Sequence, residues 1–341
     1  MITNVQANGH SAEATVENLD IDSLEEKILS HLPDLSPEQS QRMVKLIKGQ
    51  NQLHSFFDEF PEQLNKFELP MHHIDKSLKY DKPFKVAIVA VTGAGKSTLL
   101  NSMLARDLVL VKNVGGAATG CALYLYQDLP DGAPETATIT YRDEKSIRRL
   151  VTEYFVKTYS LNDSNLAGPL NEGFASIIAQ MEPSQTLSKD AQRDFDELKQ
   201  TLIDLIQQYA RHNPDQLQQT FNLESSDDKR RLLELIDEGS PANHGMNRKI
   251  GLVEAVNYHI RSGKSFLPDA SALNLPPNVC LVDLPGLDGT CLHNIIIREG
   301  IEEADAVLFV VHPRRFQTLN NTELLSRISR FVTSENDPHS S

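Results

Sequence analysis

The chain has 341 residues, 40% of them hydrophobic, which is enough for one large domain or two to three ordinary ones with a sizeable core. Its 33 lysines and arginines against 47 aspartates and glutamates give a net charge of −14, which excludes nonspecific nucleic-acid binding because the chain repels phosphate polymers. The three widely spaced cysteines exclude a disulfide framework and a cysteine metal site, and they fit a reducing compartment. No signal peptide is visible in residues 1–17 and no apolar run could span a bilayer, so we expect a cytoplasmic protein with at most peripheral membrane contact.

The N-terminal region begins with a polar stretch, residues 1–18, which lacks apolar periodicity and is predicted to be disordered. Within residues 19–80, apolar residues then recur at helical spacing. The segment 36–39, SPEQ, supplies an N-cap, a first-turn proline and a capping-box partner for a second helix. We therefore predict two amphipathic helices. His72 and His73 do not indicate a metal site, because adjacent residues point to different sides of a helix or a strand.

An apolar run leads into residues 90–97, AVTGAGKS, and an apolar-periodic segment, 98–108, follows. A strand, a glycine-bearing loop and a helix in this order predict a phosphate-binding P-loop, although Ala90 replaces the usual first glycine. Backbone N–H groups of such a loop surround the phosphates, Lys96 adds a mobile positive charge, and Ser97 is placed to bind Mg²⁺. The predicted nucleotide-contacting residues of this loop are Thr92, Gly93, Ala94, Gly95, Lys96, Ser97 and Thr98.

A loop of small residues, 111–120, precedes a predicted strand at 121–126 and contains Thr119. A threonine in this position can complete Mg²⁺ coordination and sense the γ-phosphate, as in a nucleotide switch. Threonine beside glycine is common in loops, so this hypothesis depends on the rest of the chain. The next strand, 136–141, is predicted to pair with the preceding one through a turn at 130–132.

Helical periodicity dominates the long segment 146–248. Its clearest helix, about 188–211, carries an apolar seam at alternating steps of three and four residues. The seam residues are Ala191, Phe195, Leu198, Leu202, Leu205 and Tyr209. The seam fits either a coiled-coil contact with a partner chain or a helical hairpin packed within the chain, and two heptads are short for an independent coiled coil.

Two strands and an acidic residue follow. Residues 252–260 alternate and predict an edge strand. The apolar residues 279–282 predict a buried strand that runs into Asp283, which can hold a water on Mg²⁺, while the N–H of Gly286 can reach the γ-phosphate. Past a predicted helix at 291–303, the remaining elements are a buried strand at 304–311, a helix at 322–331 and a polar tail.

The P-loop, Thr119, residues 283–286 and the strand at 304–311 together resemble the GTPase domain of the dynamin family, especially bacterial dynamin-like proteins, over residues 80–145 and 250–332. The resemblance implies an α/β P-loop G-domain with a mixed sheet flanked by helices, N-terminal bundle helices and a long helical insertion between two switches. It implies GTP and Mg²⁺ as ligands, heads that pair as a homodimer on binding nucleotide, and membrane remodelling through regions beyond this chain.

The same resemblance assigns roles to individual residues. Lys96, Thr119 and Gly286 are implied to be catalytic, with Thr119 in the first switch and Asp283 and Gly286 in the second. Mg²⁺ is implied to be held by Ser97, Thr119 and, through water, Asp283.

The implied organisation is a tail (1–18), N-terminal helices (19–80), a first GTPase part (81–145), a helical insertion (146–248), a second GTPase part (249–333) and a tail (334–341). The guanine-reading pattern [NT]-K-x-D does not follow the strand at 304–311. Residues 65–68, NKFE, are a near match, but they follow no apolar strand and end in glutamate. We therefore expect the chain to be the N-terminal part of a longer protein or a product truncated within its GTPase domain.

Two other functions fit the P-loop. One is a nucleotide-gated interaction scaffold without significant hydrolysis, with the long helical segment 146–248 as its working surface. Gly93 stands where many dynamin relatives carry a side chain that helps to organise the attacking water, so this chain departs from the resemblance in the residues that support dimer-stimulated hydrolysis. The other is a P-loop ATPase of the transporter class. Such enzymes need an apolar strand that ends in Asp-Glu and a Ser-Gly-Gly signature, and this chain has neither.

Base selectivity provides the first prediction. Because the guanine-reading pattern is missing while the phosphate-binding residues are present, we expect the 341-residue chain to bind GTP and ATP with similar, weak affinity. Competition of ATP against labelled GTP measures this ratio. A clear preference for GTP would show that base-reading residues lie elsewhere in the chain.

Overall fold

A computed structural model gives the fold and describes residues 21–33, 35–78, 80–104, 108, 120–130, 132–162, 166–212, 217–237, 250–261, 275, 278–287 and 290–311. The chain divides into two compact units, Met1–Lys82 and Pro83–Ser341. Several predictions lie outside the described residues, namely the tail 1–18, the loop 111–119 with Thr119, the helix at 322–331 and the tail 334–341.

The first unit contains three helices, α1 (Ile21–His31), α2 (Pro37–Glu59) and α3 (Pro61–Ser77). The predicted capping box starts α2, because Ser36 Oγ accepts a hydrogen bond from Gln39 N while the Gln39 side chain accepts one from Ser36 N. The sequence did not predict α3, which contains Pro70 in its interior, where proline normally ends or kinks a helix. The buried apolar side chains between α1 and α2 are Leu24, Ile28, Val44 and Ile47. The side chains of His72 and His73 lie outside the described part.

The second unit is built on a mixed sheet. Its described strands are β1 (Phe84–Ala90), β2 (Ala122–Leu129), β3 (Thr136–Tyr141), β4 (Gln218–Asn222), β5 (Val253–Arg261), β6 (Val279–Asp283) and β7 (Ala306–Val310). The order across the sheet is β4-β3-β5-β2-β6-β1-β7. The pairs β1–β6, β1–β7 and β2–β5 are parallel, whereas β2–β6, β3–β4 and β3–β5 are antiparallel. This arrangement confirms the predicted α/β class with a mixed sheet.

Two predicted strand positions are wrong. β2 and β3 do not pair across the turn at 130–132, because β5 lies between them. For the same reason β5, predicted as an edge strand at 252–260, is an interior strand. Its alternation arises because Val256, Tyr258 and Ile260 are buried while the opposite face is only partly covered, and a half-covered face produces the same pattern in any strand.

Helices cover both faces of this sheet. They are α4 (Lys96–Met103), α5 (Glu144–Arg149), α6 (Glu172–Gln180), α7 (Lys189–His212), α8 (Ser226–Ile236) and α9 (Cys291–Glu303), with a π-helix at Leu150–Val156 that continues α5. Ala87 and Val89 of β1 join the apolar cluster that contains residues of α6, α7 and α9, whereas Ile88 joins the cluster that contains residues of α4 and α8. Because successive side chains of a strand point to opposite faces, the two clusters lie on opposite sides of the sheet.

The seam of α7 packs within the chain. Phe195, Leu198, Leu202 and Leu205 are buried in the larger apolar cluster, and α7 lies against α6, α9 and the π-helix. This arrangement confirms the intramolecular alternative for the seam. The segment 146–248 also supplies β4, so it contributes to the sheet as well as to the helical layer.

β7 forms the end of the sheet as described, next to β1. The prediction of a buried strand at 304–311 is wrong for its middle, because Val307 and Leu308 are 44% and 40% exposed. An outer strand has a neighbouring strand on one side alone, and its side chains are covered less completely than those of an interior strand. Among the helices that the structure describes, none combines the length and the apolarity needed to cross a bilayer.

Candidate functional site

The predicted P-loop connects β1 to α4. Gly93 and Gly95 have φ angles of 73° and 95°, in the left-handed region that side chains rarely adopt. Ala94 N donates to Val91 O at 3.1 Å, and this bond closes the turn at the end of the strand. The loop therefore turns sharply between the end of β1 and the start of α4.

The N-terminus of α4 faces this loop. Gly95 is the N-cap residue, so no side chain of the cap accepts from the first helical N–H groups, and no acidic residue lies in the first turn. Such N–H groups carry the positive end of the helix dipole and bind phosphate. The helix ends at Met103, earlier than the predicted apolar segment 98–108.

Lys96 contacts Asp283 directly, Nζ to Oδ1. The sheet brings them together because β1 and β6 are parallel neighbours, with Ile88 opposite Asp283. The Asp283 side chain is fully buried, and this burial raises the pKa of its carboxyl group, while the Lys96 ammonium opposes the shift. The structure thus joins the two predicted site residues in one buried ion pair.

The second carboxylate oxygen of Asp283, Oδ2, is buried and has no hydrogen-bond partner among the described residues. A buried oxygen without a partner is energetically costly, and a magnesium-bound water could donate to it. Ser97, the predicted direct ligand, is half-buried in the first turn of α4. These oxygen donors fit a hard divalent cation such as Mg²⁺.

The segment after Asp283 is anchored to the P-loop strand. Leu284 N donates to Ile88 O at 3.4 Å, and Leu287 N donates to Ala90 O at 3.0 Å. Both leucine side chains are buried. Gly286 lies between these two anchors, next to the end of β1.

The predicted switch threonine, Thr119, lies outside the described residues. The chain is described again from Gly120, and β2 starts at Ala122. In β2, Leu123 pairs with Asp283 across an antiparallel register. The strand that follows the predicted switch loop therefore begins beside the buried carboxylate, and the role of Thr119 stays a prediction.

A buried cation, the guanidinium of Arg142, was not predicted from the sequence. Arg142, directly after β3, is 1% exposed; its Nη1 donates to Ser146 Oγ at 3.2 Å and lies 3.4 Å from Glu254 Oε1. Burial lowers the pKa of Arg142, and the carboxylate of Glu254 opposes that shift. Because the group depends on the β3–β5 pairing, no local sequence pattern could have identified it.

A family model now decides the classification. The model of the dynamin family matches residues 86–330, which includes the P-loop, the ion pair and the whole segment between them. The chain belongs to the dynamin family. This confirms the resemblance and the predicted P-loop G-domain fold.

Individual relatives of this dynamin-family chain are distant. The tRNA modification GTPase MnmE of Mycoplasma genitalium is 29% identical over 106 residues, which cover 25% of this chain and 24% of that protein. Two solved chains of an oligomerised bacterial dynamin pair, described as a mechanism for long-range sensing and tethering of membranes, are 17% and 18% identical with TM-scores of 0.36 and 0.37. Each match covers 90% of this chain but 42% and 35% of those chains. The dynamin-family chain thus spans less than half the length of these relatives.

Proposed function

We propose that this dynamin-family chain binds GTP with Mg²⁺ at the P-loop and hydrolyses it. The observation that carries the proposal is the contact between Lys96 and the buried Asp283 at the start of α4. A P-loop lysine, and an acidic residue at the end of the parallel strand next to β1, are the parts that phosphoryl-transfer sites of this class require.

Binding starts from the backbone in this proposal. The N–H groups of the loop and of the first turn of α4 surround the phosphates, and Lys96 moves its charge from Asp283 to the phosphate oxygens. Asp283 is then free to accept a hydrogen bond from a water, with its unpartnered Oδ2 already in place. Ser97 and, through that water, Asp283 would hold Mg²⁺, which supplies neutralisation of the negative charge on the phosphates.

Hydrolysis needs groups that act on the γ-phosphate. We assign these roles to the hydroxyl of Thr119 and the N–H of Gly286, on the basis of the resemblance. The hydrogen bonds of Leu284 and Leu287 to β1 support the assignment of Gly286, because they restrain the backbone on both sides of it.

Substitution of Thr119 tests the chemical step. Thr119→Ala should lower the turnover of GTP by about tenfold or more while changing GTP affinity much less, because the hydroxyl is needed chiefly when γ-phosphate and Mg²⁺ are organised for attack. Steady-state turnover and a titration with labelled GTP measure the two effects. Thr138→Ala is the matched control, because this hydroxyl bonds Thr220 on β4. Equal losses of turnover and affinity, or no loss in either, would make Thr119 an ordinary loop residue.

A nucleotide-gated scaffold without hydrolysis is the second candidate. Gly93 favours it, because its left-handed φ would strain the side chain that many dynamin relatives carry at this position. Single-turnover hydrolysis separates the two functions, since a scaffold binds GTP without releasing phosphate.

Assembly is a finer part of the proposal. We propose that two GTPase heads pair when nucleotide binds and that the change is transmitted to a membrane. The family membership supports this proposal, and the solved bacterial dynamin pair is described as oligomerised and membrane-tethering.

A further inference from the structure

The helix α9 follows the segment that contains Gly286. Its first N–H group is capped by a side chain from another part of the chain. Its own capping box pairs Thr290 and His293, so that His293 N donates to Thr290 Oγ1. The first helical N–H, that of Cys291, is not reached by this box. It donates instead to Glu197 Oε1 of α7 at 2.9 Å.

A second hydrogen bond joins the start of α9 to α7. The thiol of Cys291 donates to Asp194 O, also on α7, at 3.6 Å. Burial together with the nearby carboxylates of Glu197 and Asp194 raises the pKa of Cys291 to about 12, so the thiol keeps its proton at neutral pH. A carboxylate at a helix N-terminus is also stabilised by the helix dipole.

The other end of α9 is held from the same inserted segment. Glu299 accepts from Tyr154 Oη at 3.1 Å and pairs with Arg149 at 2.8 Å. Gly300, the next residue, closely approaches the chain directly after Asp283, because a Cβ atom at this position would collide with the side chain of Leu284. The position of α9 is therefore linked to α5 and the π-helix on one side and to Leu284 on the other.

Through these contacts, α9 touches both the inserted segment and the residue directly after Asp283. Gly286 is three residues after Asp283 and four before Thr290, the N-cap of α9. Gly300 of α9 also packs against Leu284, two residues before Gly286, so α9 is in direct contact with the Gly286 segment. We propose that Glu197 is a positioning residue: its carboxylate fixes the start of α9 and so sets the placement of Gly286 at the nucleotide, which couples the inserted segment to the hydrolytic step. This inference rests on the proposed function of Gly286.

The test compares three variants of the full chain. Glu197→Ala should lower kcat for GTP by about fivefold while KM changes by less than about twofold, because a helix cap is lost but the P-loop contacts remain. Glu197→Gln keeps an acceptor for Cys291 N and should restore most of kcat. Asp196→Ala is the matched control, since this neighbouring carboxylate accepts from Gln192 of its own helix and should leave both constants unchanged.

Hydrogen exchange at the Cys291 amide separates this inference from the proposed function. Exchange should be faster in Glu197→Ala than in the unmodified chain, with or without nucleotide, and near normal in Glu197→Gln. Unchanged exchange overturns the cap, and faster exchange with unchanged kcat overturns the coupling. An unmodified chain that hydrolyses no GTP would refute the proposed function and, with it, the coupling, whereas the cap would still be judged by exchange alone.

Discussion

Replacing Lys96 with alanine is expected to abolish measurable GTP binding. The phosphates lose a charge-assisted donor worth about 1.5–3 kcal/mol or more, in a chain whose net charge of −14 already disfavours anions. This corresponds to a loss of affinity of at least about tenfold to a hundredfold. A titration with labelled GTP in the presence of Mg²⁺ measures it.

The matched control is Lys85→Ala. Lys85 lies near the start of the same strand, at the end away from the P-loop, and pairs with Glu303 on the surface. GTP affinity should therefore be unchanged in this variant although it loses the same charge. Equal affinities of the Lys96→Ala variant and the unmodified chain would contradict the P-loop assignment.

The local elements around this site could be predicted from the sequence because their signals are short. The strand, loop and helix around residues 90–97 and the acidic end of β6 each lie in one continuous segment of the chain. The capping box at Ser36 and Gln39 has the same character, since both partners lie within one turn.

Strand neighbours were harder to predict, because pairing joins segments that are far apart in the chain. Val253–Arg261 inserts between two strands that are consecutive in sequence, and its alternating pattern reports a half-covered face rather than an edge. β4 was not predicted at all; its five residues show a single buried side chain, that of Phe221.

In the candidate site, too, the local elements could be predicted from the sequence but the contacts between them could not. Lys96 and Asp283 could be proposed separately, each from its own element, but their ion pair required the β1–β6 register. The buried Arg142 and the cap from Glu197 both join residues about a hundred positions apart, and neither belongs to a local pattern. Long-range polar contacts of this kind are visible only in the folded chain.

Breaking the ion pair between Lys96 and Asp283 is expected to lower the stability of the fold. Lys96→Met removes one partner of a buried pair and leaves the carboxylate of Asp283 without its countercharge. Removing one member of such a pair costs about 3 kcal/mol, whereas replacing both members with neutral groups is often close to neutral. We expect Lys96→Met to lower the free energy of unfolding by about 3 kcal/mol at pH 7, and Lys96→Met with Asp283→Asn to recover most of that loss.

The contribution of Asp283 to stability decreases as pH rises, because burial raises the pKa of its carboxyl group. Burial raises the pKa of Asp283 above its ordinary value of 3.8, so between the unfolded and folded pKa values the folded chain binds more protons than the unfolded chain. The contribution of Asp283 to stability is therefore fully present below the unfolded pKa and is lost as pH rises through the folded pKa. Without Lys96, which opposes the shift, this loss should be larger and extend to higher pH.

Urea unfolding at pH 5 and pH 7 tests the prediction. The deficit of Lys96→Met relative to the unmodified chain should be smaller at pH 5, where more of Asp283 is protonated, and the Asp283→Asn substitution should remove this difference. The control pair is Lys85 and Glu303, whose more exposed side chains should contribute less than about 1 kcal/mol. A Lys96→Met deficit that is equal at both pH values would show that the buried Asp283 carboxylate does not titrate in this range and that its burial is balanced by something other than Lys96.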